Sequence, residues 1–125
     1  MSEMPIEPEI VIIPAGEFVM GSPEGEAGRN ADGREGPQHP VSFSKPFGMA
    51  KGTVTVAAFA QFVDATNRDV PGEMLTWEND VLELRRPRDF RSPGFPQTEH
   101  CPVVGVTWFD ARDYASWLAQ VTGKA

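Results

Sequence analysis

Cys101-Pro-Val-Val-Gly-Val-Thr-Trp-Phe-Asp-Ala-Arg-Asp-Tyr-Ala-Ser-Trp-Leu118 is the most informative stretch of the chain. Its opening part, Pro102–Val106, has the composition of a buried strand. Thr107 then offers a hydroxyl to the free amides of a first helical turn. Asp110, three residues on, sets a carboxylate at the positive end of the helix dipole. The spacing predicts a helix over 108–121. Trp108, Ala111, Ala115 and Leu118 make one face, with Tyr114, Trp117 and Val121 beside it, and Gly123 supplies the left-handed stop.

Upstream, Thr55 caps a second helix over 56–66, whose Val56, Phe59, Ala60, Phe62 and Val63 fall on one stripe. Asn67 and then Pro71-Gly72 end it. Ile10–Ile13 and Glu17–Met20 flank Pro14-Ala15-Gly16 and read as strands paired with each other, or as one bulged strand. His39–Phe43 alternates, and Pro46–Met49 continues as a further extended piece. Leu75–Trp77 and Val81–Leu84 around Glu78-Asn79-Asp80 predict a short hairpin. Residues 22–38 are polar, glycine-rich and aperiodic, which predicts an exposed loop. Residues 85–97 contain Pro87, Pro93 and Pro96 and predict irregular surface. The expected class is α+β, two helices with short strands and little regular structure. Residues 1–9 are expected to be a flexible start and 10–125 the folded part.

Among 125 residues, 18 acids outweigh 11 bases to give a net charge of −7. Eight of the acids lie in residues 1–40, against two bases. Clustered Lys and Arg drive phosphate binding, so this balance disfavours nucleic acid and an anionic membrane surface as partners. No apolar run reaches the ~18 residues of a membrane-spanning helix. The acidic, proline-broken opening lacks the basic start and apolar core of a secretory signal, so the expected location is the cytoplasm. The single cysteine, Cys101, excludes an internal disulfide. Both helices carry wide aromatic faces, including Phe59, Phe62, Trp108 and Trp117, with few long strands to cover them. These residues therefore read as part of a larger core.

Chemistry is sparse. His100-Cys101 is the only His–Cys pair, but adjacent residues do not readily share one tetrahedral ion, and His39 is distant in sequence. Cys101 reads better as a small buried hydrophobe. In the acidic loop, placing Gly33 at the turn of a calcium-binding EF-hand puts Gly28 where an Asp belongs and His39 where a Glu belongs, so the pattern fails at both ends. Ser22, Ser42, Ser44, Ser92 and Ser116 have no local base to activate them. Trp77, Trp108 and Trp117 suggest a pocket lining, although aromatics at helical spacing are more often core. Arg85, Arg86, Arg88 and Arg91 form a basic cluster that reads as a solvated or salt-bridged loop. The residues themselves nominate no catalytic, cofactor-binding or metal-binding side chain.

In order along the chain, several motifs resemble one family. Ile12-Ile-Pro-Ala-Gly-Glu-Phe-Val-Met-Gly-Ser22 resembles its opening turn, and Glu35-Gly-Pro-Gln-His-Pro-Val41 its E-x-P-x-H-x-V segment. Val54-Thr55 with Phe59 and Phe62-Val63 resembles its first helix. Asp89-Phe-Arg-Ser-Pro-Gly-Phe-Pro-Gln97 resembles its N-W-R-x-P-G loop, with Phe90 for the Trp. Residues 101–118 resemble H-P-V-x-x-V-S-W-x-D-A-x-x-Y-x-x-W, with Cys101 in place of the histidine. The family is that of the formylglycine-generating enzymes, or sulfatase-modifying factors, and the resemblance spans about residues 10–124.

The resemblance implies a C-type-lectin-like α+β fold of which these residues are the N-terminal part. It implies an enzyme that oxidises a sulfatase cysteine to formylglycine with oxygen and copper, the metal held by two cysteines near the end of the domain. Those cysteines, the calcium ligands and an R-L-P-T-E-x-E-W-E segment are expected beyond residue 125. Cys101 matches neither catalytic cysteine. The chain alone is therefore expected to be inactive and to hold no copper or calcium. Its expected partners are a complementary C-terminal segment or a second copy, with a sulfatase-like substrate only for the full domain. The other expectations are a non-catalytic lectin-like binding or accessory module, or a fragment that complements another chain.

Overall fold

Thr55 and Thr107 start both helices as their side chains dictate. In the computed structural model, which describes residues 4–124, the elements run β1 (Ile10–Ile13), β2 (Gly16–Met20), β3 (His39–Phe43), β4 (Phe47–Ala50), α1 (Val56–Thr66), β5 (Met74–Glu78), β6 (Val81–Arg85) and α2 (Trp108–Thr122). Of the start expected to be flexible, residues 1–3 lie outside the described residues. Within 4–9, the Ile6 amide donates to Gln61 Oε1 at 2.7 Å and Gln61 Nε2 donates to the Met4 carbonyl at 2.8 Å. No helix among the described residues is long and apolar enough to cross a membrane.

The backbone gathers into two units, one of residues Ile10–Met49 and the other of residues up to Glu9 together with those from Ala50 onward. In the first unit β2 pairs antiparallel with β3, Phe18 opposite Val41 and Met20 opposite His39. The expectation that β1 and β2 pair with each other is corrected: β1 pairs with β4 and β2 with β3. Pro14–Gly16 passes the chain between two ribbons instead of folding it back. Phe18 stacks on Phe43 at 6.2 Å, and Phe43 meets Phe47 at 5.1 Å. Residues 22–38 form the expected exposed loop.

The second unit is built on α1 and α2. In α1 the Thr55 side chain accepts from the Ala58 amide, and Asn67 adopts the left-handed conformation (φ 51°) that stops the helix. The stripe buries as expected: Phe59, Phe62 and Val63 join Phe90 and Tyr114 in one core. Their rings meet edge-on, Phe59 with Phe90 at 4.9 Å and Phe62 with Tyr114 at 5.7 Å, the geometry favoured by ring quadrupoles.

Three sequence expectations change here. The inward face of α2 is Asp110, Tyr114, Trp117 and Leu118, whereas Trp108 is 70% exposed and Ala111 and Ala115 face outward. Periodicity counts apolar residues only and so missed a buried carboxylate. Residues 85–97 are irregular but not all surface, because Phe90 is buried, at 1% exposure. Pro102–Val106 is not a strand. Only a bridge between Thr55 and Pro102 forms, and Gly105 turns the chain at φ 73°. A Cβ on Gly105 would sit 2.7 Å from Met74 Sδ, so the glycine also permits close approach to β5.

Between β5 and β6 the turn residues Asn79 and Asp80 both have positive φ, 54° and 62°. That matches the two-residue hairpin turn whose twist suits paired strands.

Candidate functional site

The four free amides at the start of a helix need acceptors, and the chain before α2 provides them for α1. Val56 N–H donates to the Cys101 carbonyl at 2.9 Å and Ala57 N–H to the Glu99 carbonyl at 3.0 Å. In return Val103 N–H donates to the Val54 carbonyl at 2.9 Å. This clamp fixes the one thiol of the chain. Cys101 Sγ accepts from the Thr98 amide at 3.5 Å and lies 3.6 Å from the Thr98 hydroxyl. The Thr98 amide and then its hydroxyl stabilise the thiolate and lower the Cys101 pKa. Cys101, expected to be a small buried hydrophobe, is only half-buried. His100 beside it is exposed, with Nε2 3.6 Å from Glu99.

A second constellation sits on the hairpin. Arg88 donates to both oxygens of Glu78, at 2.7 and 3.1 Å, and the Thr76 hydroxyl donates to Glu78 Oε2 at 2.5 Å. Arg85 reaches the Thr76 carbonyl at 2.5 Å and the Glu78 carbonyl at 3.0 Å. The Arg88 and Thr76 hydrogen bonds bring the Glu78 pKa down to about 2. Arg86 pairs with Glu73, and Arg91 with Asp64 at 2.8 Å. The salt-bridged reading of the arginine cluster holds. Gly94 (φ 92°) closes over the network, where a Cβ would lie 2.7 Å from Arg88 Nε and 2.9 Å from Glu78 Oε2.

In the 22–38 loop the charged groups satisfy the loop itself. Glu35 accepts from the Asn30 amide at 2.5 Å and from the Ser22 hydroxyl at 3.3 Å, and Arg29 donates to that hydroxyl at 3.0 Å. Asp32 accepts from the Arg34 amide at 3.0 Å. The depression here, about 400 Å³, is lined by Ser22, Arg29, Gly36 and Gln38 and is wide open.

His39 hydrogen-bonds the Pro37 carbonyl at 2.9 Å. Trp117 packs on Phe62, while Trp77 and Trp108 are largely exposed, so the three tryptophans line no common pocket. Among the described residues no three of His, Cys, Asp and Glu are grouped to hold a metal ion. A copper ion held by two thiolates does not fit here, since the chain has one cysteine, spent on Thr98. The buried carboxylate Asp110 and its partner Arg68 were missed by sequence reading. The signal was Asp110 itself, read only as a cap.

Two capped helices on an aromatic core, a Glu78-centred hairpin and long polar loops define an α+β scaffold of little regular structure. The chain belongs to the family described as the sulfatase-modifying factor enzyme 1-like domain (FGE-sulfatase), whose profile matches residues 2–122. It is 36% identical to the formylglycine-generating enzyme of Streptomyces coelicolor, over 88% of this chain and 42% of that one. It is 32% identical to the serine/threonine-protein kinase pkn1 of Chlamydia pneumoniae, over 93% of this chain and 18% of that one. The solved structure of PvdO from Pseudomonas aeruginosa superposes with a TM-score of 0.68 at 33% identity, over 93% of this chain and 41% of that one. The chain thus spans about two fifths of the Streptomyces enzyme and of PvdO.

Proposed function

We propose that these residues are the N-terminal portion of a formylglycine-generating-enzyme-like domain. In the typical enzyme that the family resemblance implies, a sulfatase cysteine is oxidised to formylglycine, and this portion contributes scaffold without reacting thiols. The observation that carries the reading is the 36% identity to the Streptomyces enzyme along only 42% of that enzyme's length. The copper and calcium sites are assigned outside these residues, and a sulfatase-like substrate belongs to the whole domain. What this chain's residues do is positional. The Thr55 and Thr107 caps, the clamp from 99–103 to α1 and the Glu78 hairpin hold the loops in place.

A second reading is a non-catalytic binding or accessory module, lectin-like in fold. It is favoured by the match to pkn1, in which the similar stretch is 18% of a protein named for another activity. Sequencing the reading frame around codon 125 tests both. An in-frame continuation with two further cysteines supports the enzyme, and one without them supports the module. A stop codon overturns both in favour of a fragment that acts with another polypeptide.

A further inference from the structure

Directly opposed residues of an antiparallel ribbon share a face, so Leu75 with Leu84 and Trp77 with Leu82 stand on one side of β5–β6. All four are 57–66% exposed. The other side carries Thr76 and Glu78, held by Arg85 and Arg88, and Thr76 is buried. The hairpin is therefore inverted over part of its length: Thr76 is buried and Glu78 and Arg85 half-buried on one side, where Val81 and Glu83 stay exposed, while the large apolar side is in water. A half-buried antiparallel ribbon ordinarily does the opposite. A register slip would break the Arg85 hydrogen bonds to the Thr76 carbonyl and hydroxyl and to the Glu78 carbonyl across the ribbon.

We propose that this face is the seam on which a further segment of the sulfatase-modifying-factor-like domain packs. The inference rests on the reading of these residues as a portion of a larger domain. Two observations favour that occupant. More than half of the Streptomyces enzyme and of PvdO lies outside the stretch that matches this chain. The four side chains also expose only on the order of 400 Å², within the range of single apolar patches. A stable dimer buries about 800 Å² per partner, so a second copy is a poor occupant. A covalently continuous segment escapes the translational and rotational cost of association and needs less area.

The test is a chimera in which this chain replaces the matching part of the Streptomyces coelicolor enzyme, compared with the chain alone. The charged pair Leu82→Glu/Leu84→Glu is placed in both, and Leu82→Ala/Leu84→Ala serves where the charged variant does not fold. The seam predicts one cooperative transition for the chimera, lowered by at least about 5 °C by either pair, with the isolated chain unmoved. A chimera without a cooperative transition overturns both the larger-domain reading and the seam. A cooperative chimera indifferent to the substitutions overturns the seam alone. An equal loss in the isolated chain, or a homodimer abolished by the variant, also overturns the seam.

Discussion

Arg68 Nε donates to Asp110 Oδ1 at 2.7 Å, joining the residue just past the α1 stop to the first turn of α2. Its Nη1 also reaches Asp113 Oδ2 at 2.7 Å. Asp110 serves two structures at once. Its Oδ2 accepts from the Thr107 amide at 2.8 Å, and its own amide donates to the Thr107 hydroxyl at 3.0 Å. At 3% exposure this is a buried carboxylate beside a core of aromatic and aliphatic side chains.

Removing it leaves the partly exposed Arg68 guanidinium with Asp113 as its remaining carboxylate partner and opens the α2 cap. Asp110→Ala is expected to cost about 2 kcal/mol of unfolding free energy in urea titration, for the lost capping box and one of the two carboxylates on Arg68, which is 23% exposed and keeps Asp113. Asp110→Asn retains an acceptor for Thr107 and loses less. Asp113→Ala, at a more exposed carboxylate, stays within about 1 kcal/mol.

Stability is expected to fall on acidification. Burial pushes the Asp110 pKa up, but hydrogen bonds from the Thr107 amide, Arg68 and the Thr107 hydroxyl outweigh it and leave the pKa lowered. Glu78 is lowered to about 2. Groups with depressed folded pKa values stabilise above their unfolded values, near 4, and lose that contribution as pH drops through the folded ones. Melting temperature should therefore decline between about pH 5 and pH 2, and Glu78→Gln should flatten the decline. At the alkaline end, burial raises the Tyr114 pKa above its usual 10. That contribution is complete below pH 10 and erodes above it.

Gly94 is expected to tolerate no side chain. Its φ of 92° and the 2.7 Å separation a Cβ would have from Arg88 Nε make Gly94→Ala strained twice over. A loss of about 2 kcal/mol by urea titration is expected. Gly52→Ala, in open space, should be neutral within about 0.5 kcal/mol.

Thr98→Val removes the hydroxyl beside Cys101 Sγ and leaves the amide donor. The pH midpoint for iodoacetamide alkylation of Cys101 should rise relative to wild type. An unchanged midpoint would remove the hydroxyl from the account of the thiol.

Where a residue acts on its own neighbours, the sequence was readable. Thr55 and Thr107, Asn67 and Gly123 delimit the helices through local hydrogen bonds and left-handed backbone, and Asn79-Asp80 turns the hairpin. The family was legible for the same reason, since its motifs are runs of adjacent residues. Long-range choices were not. β1 finds β4 across a 33-residue gap that no local propensity encodes. Asp110 turns inward because Arg68, 42 positions away, meets it there. Phe90 enters the core from a proline-rich segment because Phe59 offers it a ring edge. After Cys101, the β-branched run is broken by Gly105 at φ 73° and forms only the Thr55–Pro102 bridge.

The central claim is that these residues are scaffold and lack the thiol pair of the oxidation. The direct measurement is copper-dependent oxidation of a sulfatase-type cysteine peptide by this chain alone, followed by mass spectrometry. The account predicts no formylglycine above the protein-free control. Turnover by the isolated chain that disappears in Cys101→Ser would contradict it.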